Sequence, residues 1–366
     1  MGLIRLYLAI SVVIWHISDA WEWTINGYLA VICFYMISGY YMSMVLNGAY
    51  AAPGFTRRFY AARYLRLFPQ YAVVAILTIC FWHYADPARI ATPQFTAMPL
   101  TWLFTVSANA SIFGLDILKL ITVQMPQPYL PRLIGPGWSL GIELLFYVVA
   151  PFVVRRHLKV SIALFSILLA IRLFMLPFAY DPWRYYFAPS VLCFFWLGHI
   201  AERLGTKLPD SLLVSWIGAF AIIFLPFAGY FTGVNIVRDI DRPDTWAFLL
   251  LFAAALPFIF AATRRSKLDT ALGSLSYPLY LVHQLALVSV GYLFGSSTAS
   301  SLAVSPVRTI LGLCFTFLAA YGLLVVVEKP LEGFRQRFRS KAPSTSAKHE
   351  DEQLLVDSSA PRVVRS

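Results

Sequence analysis

Trp138-Ser139-Leu140-Gly141-Ile142-Glu143-Leu144-Leu145-Phe146-Tyr147-Val148-Val149-Ala150-Pro151-Phe152-Val153-Val154 holds one charged group, Glu143, among residues that are mostly apolar. A helix this apolar belongs in a large protein core or in lipid. Composition decides between the two. The 366 residues are 59% hydrophobic and 13% charged, with a mean hydropathy of +0.68, and a soluble chain of this size could not hide that much apolar surface. Lipid is therefore the solvent that this sequence is written for, and an all-α membrane protein is the expected fold.

Outward from this stretch, about ten segments reach the length a membrane helix needs. They run from Leu3 to Ala20, Gly27 to Leu46, Leu67 to Tyr84, Trp138 to Val154, Leu158 to Phe178, Tyr185 to Ala201, Leu212 to Phe231, Thr245 to Ala262, Ser276 to Phe294 and Pro306 to Val327. Between the third and fourth lies a long Pro- and Trp-containing segment, residues 85–137, in which a re-entrant or interfacial helix is expected around Leu100 to Leu120. Lys and Arg gather in the loops after the even-numbered spans, as in Arg57-Arg58, Arg155-Arg156, Arg264-Arg265 and the run from Lys329 to Lys341. Cytoplasmic loops retain such charge, so both termini are expected in the cytoplasm. The first helix is expected to be retained, because no small-residue cleavage pattern follows it before Asp19, and residues 1–335 are expected to form one membrane domain with a disordered cytoplasmic tail over 336–366. The formal charge of +11 follows from these topological clusters and gives no reason to expect nucleic acid. Cys33, Cys80, Cys193 and Cys314 all fall in apolar runs without metal-type spacing, so neither a disulfide framework nor a metal site is expected.

Ionisable groups at membrane depth are costly and mark function. Arg5 and His16 stand 11 residues apart, close to three turns, and share one helix face about 16 Å apart along the axis. A snorkelling arginine with a structural histidine is the bland alternative, at about even odds for a lone pair. Ser139, Glu143 and Tyr147 form a polar stripe at i, i+4 and i+8, readable as an interhelical salt bridge or as an acidic partner for a histidine. Arg63 and Arg66 are positive-inside charge or a fork for phosphates. Ser276, Tyr280 and His283 make a further stripe that could equally be packing glue.

In chain order these pieces resemble acyltransferase family 3, the ten-helix membrane O-acyltransferases. The matching elements are Arg5 with His16, the run from Gly27 to Tyr40 that contains Ser38, Arg63-x-x-Arg66, Trp138-Ser139-Leu140-x-x-Glu143-x-x-Phe146-Tyr147, Ser276-Tyr277-Pro278-Leu279-Tyr280-Leu281-Val282-His283, and Glu328-Lys329-Pro330. The resemblance implies acyl-coenzyme A as co-substrate, acetyl being the commoner group, His16 as the central catalytic residue, and Arg5, Arg63 and Arg66 at the donor. It implies an inner-membrane location, a glycan or glycolipid hydroxyl as acceptor, and Ser38, Ser139, Tyr147, Tyr280 and His283 as substrate or structural support. With no further domain after the tenth span, a second transfer step would need a separate partner.

The chemistry is consistent with that picture. Acylating a sugar hydroxyl requires a base for its proton, and a neutral imidazole serves. Span ends put Glu143 about 8 Å and His16 about 6 Å below the outer edge, so contact between them is expected if their helices face each other; Asp19, three residues on from His16, is the alternative orienting acid. A proton-coupled transporter also uses buried His and Glu, but paired repeats are common in transporters and no second copy of either motif is present.

Overall fold

The computed structural model describes residues 1–18, 24–52, 54–87, 99–124, 132–176, 181–205 and 241–336. Among them there are helices and no strands. The α-helices are α1 (Gly2–Ile17), α2 (Gly27–Asn47), α3 (Thr56–Ala85), α4 (Pro99–Ser111), α5 (Leu115–Gln124), α6 (Gly137–Val153) and α7 (Leu158–Met175). They continue with α8 (Asp181–Tyr185), α9 (Ala188–Gly205), α10 (Pro243–Thr263), α11 (Lys267–Leu293), α12 (Pro306–Leu323) and, after a π-turn at Leu324–Glu328, α13 (Lys329–Gln336). By length and composition six stretches can cross a membrane: Gly27–Asn47, Thr56–Ala85, Leu158–Met175, Pro243–Thr263, Lys267–Leu293 and Pro306–Phe334. Gly2–Ile17 and Gly137–Val153 are apolar but shorter. The span expected from Leu212 to Phe231 and the tail over 337–366 lie outside the described residues.

The bundle is apolar outwards. Ile162, Ile167, Leu173 and Phe174 on α7 and Val307, Ile310, Leu311, Phe315 and Leu318 on α12 are all exposed. Water would penalise such a surface, whereas hydrocarbon accepts it and demands only that backbone groups bond within the helices. Polar side chains turn inwards instead.

Three expectations are corrected. The third helix begins at Thr56, not near Leu67, so Arg63 and Arg66 lie on its early turns rather than in a connecting segment. Hydropathy detects only the apolar part, while Arg and Ala continue a helix readily once Gly54, at φ +82°, has turned the chain. The segment around Leu100 to Leu120 is two helices, broken where Ile112 (φ 71°) and Gly114 (φ 85°) take left-handed conformations. The stretch from Tyr185 to Ala201 is likewise divided between α8 and α9.

Close backbone approaches set the packing. A Cβ on Gly39 of α2 would meet the Phe195 carbonyl oxygen at 1.9 Å, and one on Gly198 of α9 would meet that of Met36 at 1.9 Å, so the two glycines let α2 and α9 touch backbone to backbone. α1 and α11 lie side by side and parallel, since the backbone amides of Gly2 and Leu3 donate to Asp269 (2.6 and 2.9 Å) while His16 meets His283 and Gln284. That offset holds from one end of α1 to the other.

Arg172 of α7 is fully buried and ties four elements together. Its guanidinium donates to the Arg184 carbonyl (2.7 Å), the Ser190 carbonyl (3.3 Å) and Asp241 (2.7 Å), and lies 4.9 Å from the Phe194 ring centroid. Arg184 also bonds Asp241, at 3.2 Å. Arg172→Ala leaves that carboxylate short of a buried partner and is expected to destabilise by about 3–5 kcal/mol, read as a lower unfolding midpoint in detergent. An unchanged midpoint would show that the cluster contributes nothing net.

Candidate active site and vestibule

α6 places Ser139, Glu143 and Tyr147 on one face. Ser139 Oγ donates to the Pro136 carbonyl (2.8 Å), which leaves its oxygen to accept from the Tyr280 hydroxyl at 2.7 Å. One turn along, a Glu143 carboxylate oxygen accepts from Ser38 Oγ of α2 (2.8 Å) and from the Tyr147 hydroxyl. Four of the five residues expected as support, Ser38, Ser139, Tyr147 and Tyr280, thus line one place with Glu143.

These groups line a cavity of about 390 Å³ that also takes in Arg5, Arg63 and Arg66. A second cavity of about 580 Å³ opens at the end of the bundle that holds Met1, and Arg264, Lys267 and Lys329 stand on its walls. The two share Arg5, Tyr41, Arg63, Arg66 and Tyr277 and form one shaft. Arg63 is buried, 8% exposed, with its guanidinium over the Phe59 ring, 5.9 Å from its centroid. Asp269, Glu328 and Glu332 balance part of the cationic mouth, and Glu328 accepts from Gln70. A basic chamber that narrows into a half-apolar shaft suits an anionic head carrying a long arm.

His16 is at the other end of α1. Its Nε2 lies 3.3 Å from the Gln284 amide nitrogen, its ring centroid 5.0 Å from that of His283, and Trp15 packs edge-on beside it. His283 is fully buried. Its Nδ1 is 2.7 Å from the Tyr280 carbonyl, which can only accept, so that nitrogen carries the proton; Nε2 is left as a buried acceptor without a partner. Such an orphan at the head of a polar column is a place where a substrate hydroxyl can be received.

The structure pairs neither His16 nor Glu143 with the other. Tyr280 is one turn inward of His283, and Glu143 one turn inward of Ser139, which Tyr280 touches, so Glu143 stands about 10 Å below the imidazoles at 1.5 Å per residue. The expectation of equal depth assumed a first helix reaching Ala20. It ends at Ile17, so His16 sits at the helix terminus while Glu143 lines the same cavity as Arg5. Asp19 lies outside the described residues. Among those that are described, no group of three or more His, Cys, Asp or Glu is arranged to hold a metal ion. In sequence Gln284 is marked only by following His283, and Lys119 and Arg132 only as cations in the long segment over 85–137. Nothing local distinguishes them, because their meaning comes from what folds against them.

Residues 1–325 match the sequence pattern of a family described as an acyltransferase domain. The O-acetyltransferase OatA of Staphylococcus aureus, in strains NCTC 8325 / PS 47, COL and MRSA252, is 24% identical over 330 residues, covering 78% of this chain and 50% of the relative. The chain spans about half the length of the curated relatives it matches. No solved structure matches it.

Proposed function

Since the chain belongs to acyltransferase family 3, whose pattern its residues 1–325 match, we propose that it moves an acyl group, acetyl by preference, from cytosolic acyl-coenzyme A to a hydroxyl of an exopolysaccharide, lipopolysaccharide or other glycan. The observation that carries this reading is the shaft: two joined cavities that share Arg5, Arg63 and Arg66 and run from a basic mouth to Ser139 and Tyr280, one turn short of His283. In this reading the basic mouth faces the cytoplasm, and the chain crosses the cell (inner) membrane about ten times with both termini cytoplasmic. Residues 1–335 act as one membrane domain.

Guanidinium groups hold the phosphates of the donor, and its flexible arm carries the thioester up the shaft. Arg5 and His16 are about 16 Å apart along α1, which is the span that arm covers. His16 takes the proton of the acceptor hydroxyl as its oxygen bonds to the thioester carbon. The C–S bond breaks, and the thiolate leaves and recovers the proton from His16. Gln284 and His283 hold the imidazole and the incoming hydroxyl in place. That the staphylococcal relatives are O-acetyltransferases supports acetyl as the group moved.

The test uses purified protein in lipid nanodiscs with radiolabelled acetyl-CoA and an oligosaccharide acceptor. Label should appear in the acceptor as an alkali-labile ester, in proportion to thiol released. Solute uptake into vesicles driven by a proton gradient, with no donor consumed, would replace this reading with a transporter.

Glu143 serves as a positioning residue opposite Arg5 rather than as the acid of a triad. Glu143→Gln keeps the shape and removes the charge, so kcat/KM for the donor should fall about 10-fold, roughly 1.4 kcal/mol, chiefly through KM. A loss confined to kcat, with donor binding intact, would restore direct support of His16.

A further inference from the structure

At the His16 end of the bundle two cations stand without a carboxylate. Lys119 on α5 and Arg132 before α6 are both half-buried, and no carboxylate among the described residues forms an ion pair with either. Asp116, one turn back on α5, abuts Gly141 of α6 instead. The Lys119 ammonium lies 4.6 Å from the Tyr186 ring centroid, and Arg132 Nη1 reaches only the Gly135 carbonyl, at 3.4 Å, the edge of hydrogen-bonding range. α5 is too short to span a membrane. Burial, with the charge of Arg132 second, pulls the Lys119 ammonium down to about 7.

Both cations belong to the surroundings of His16. Lys119 is within electrostatic reach of the imidazole. A Cβ on Gly135 would meet Gln284 Oε1 at 1.6 Å, so the turn that Arg132 touches presses on the amide beside His16. Aromatic rings complete the surroundings, with Trp138 4.7 Å from Tyr186, Tyr186 bonded through its hydroxyl to Tyr28 (3.2 Å), and Trp15 4.7 Å from Tyr28. Two like charges that share one partly buried place without a counter-ion repel each other and lose hydration, a cost that an anionic ligand would relieve. In the proposed orientation this is also the face where topology disfavours Lys and Arg, so positive-inside charge does not account for them.

We propose that Lys119 and Arg132 form an anion-recognition subsite for the acceptor, so that the hydroxyl acylated at His16 belongs to a molecule with a carboxylate or phosphate close by. Arg132 offers a planar fork, Lys119 a point charge, and the aromatic rings an apolar wall for the rest of the acceptor. This rests on the acyltransferase reading above.

Protein in nanodiscs, saturated with acetyl-CoA, is given three acceptors: a neutral glucose oligosaccharide, one of equal length containing glucuronate, and a polyprenyl-phosphate-linked glucose. One anionic probe should be preferred over the neutral one by about 10-fold or more in kcat/KM; which one it is separates carboxylate from lipid phosphate. In Lys119→Met/Arg132→Gln the preference should fall to near unity through acceptor KM, with donor KM within about twofold, while Lys119→Arg keeps it. Equal use of charged and neutral acceptors by the unaltered protein would overturn the proposal. Equal loss on every acceptor would also overturn it, pointing to a structural or transition-state role. Direct binding of the two anionic probes supplies a readout if turnover is absent, and charge-independent binding or none would count against the subsite. Absence of acetyl-CoA binding, by contrast, would sink the acyltransferase reading itself.

Discussion

His16→Ala is expected to lower acyl transfer by about 10²–10⁴-fold, the contribution of a positioned general base. Folding should survive, because His16 is the last but one residue of α1 and the helix is anchored at its other end by Asp269. Donor binding should survive as well, since the arginine cluster lies about 16 Å away along the same helix. The pattern to look for is therefore a collapse of kcat with donor affinity unchanged. Near-normal acylation by the variant would remove His16 from the chemistry and leave the orphaned His283 Nε2 as the group to test. A loss of donor binding in parallel would mean that the two ends of the shaft are not independent.

Replacing Arg63 and Arg66 together by glutamine is expected to raise the donor KM by about 10²–10³-fold. Each charge-assisted hydrogen bond contributes about 1.5–3 kcal/mol, and the open vestibule screens part of the sum. Phosphates stay bound in ground and transition states alike, so turnover at saturating donor should fall much less. Lysine at both positions should rescue in part, because it restores charge without the planar fork. Arg63 also packs on Phe59, so Arg66→Gln alone is the cleaner measure of phosphate binding. Loss of equal size at every donor concentration would assign the pair to folding or topology.

Much of this molecule was legible before any coordinates. Composition put an all-α chain in lipid because that much apolar surface has no other stable solvent at this size, and family membership followed from motifs in fixed order. Arg5 and His16 were readable as two ends of one face because helical rise is invariant. The polar stripes of α6 and α11 were equally plain, being a matter of period alone.

Partnership was a different matter. Sequence placed Glu143 level with His16 by counting from assumed span ends, and an error of three residues in α1 was enough to make the pairing look natural. The structure instead gives Glu143 to Ser38 and Tyr147, and His16 to Gln284 and His283. Likewise the sequence left Arg63 and Arg66 as either positive-inside charge or a phosphate fork, and a helix beginning at Thr56 puts them on the wall of a shaft, while Lys119 gains its surroundings only where Tyr186 folds against it. Period and hydropathy are properties of one segment and can be read from it alone. Which polar face meets which depends on the rotation, offset and tilt of several helices at once, settled by contacts as local as Gly39 on Phe195 and Gly198 on Met36, and no single segment carries that information.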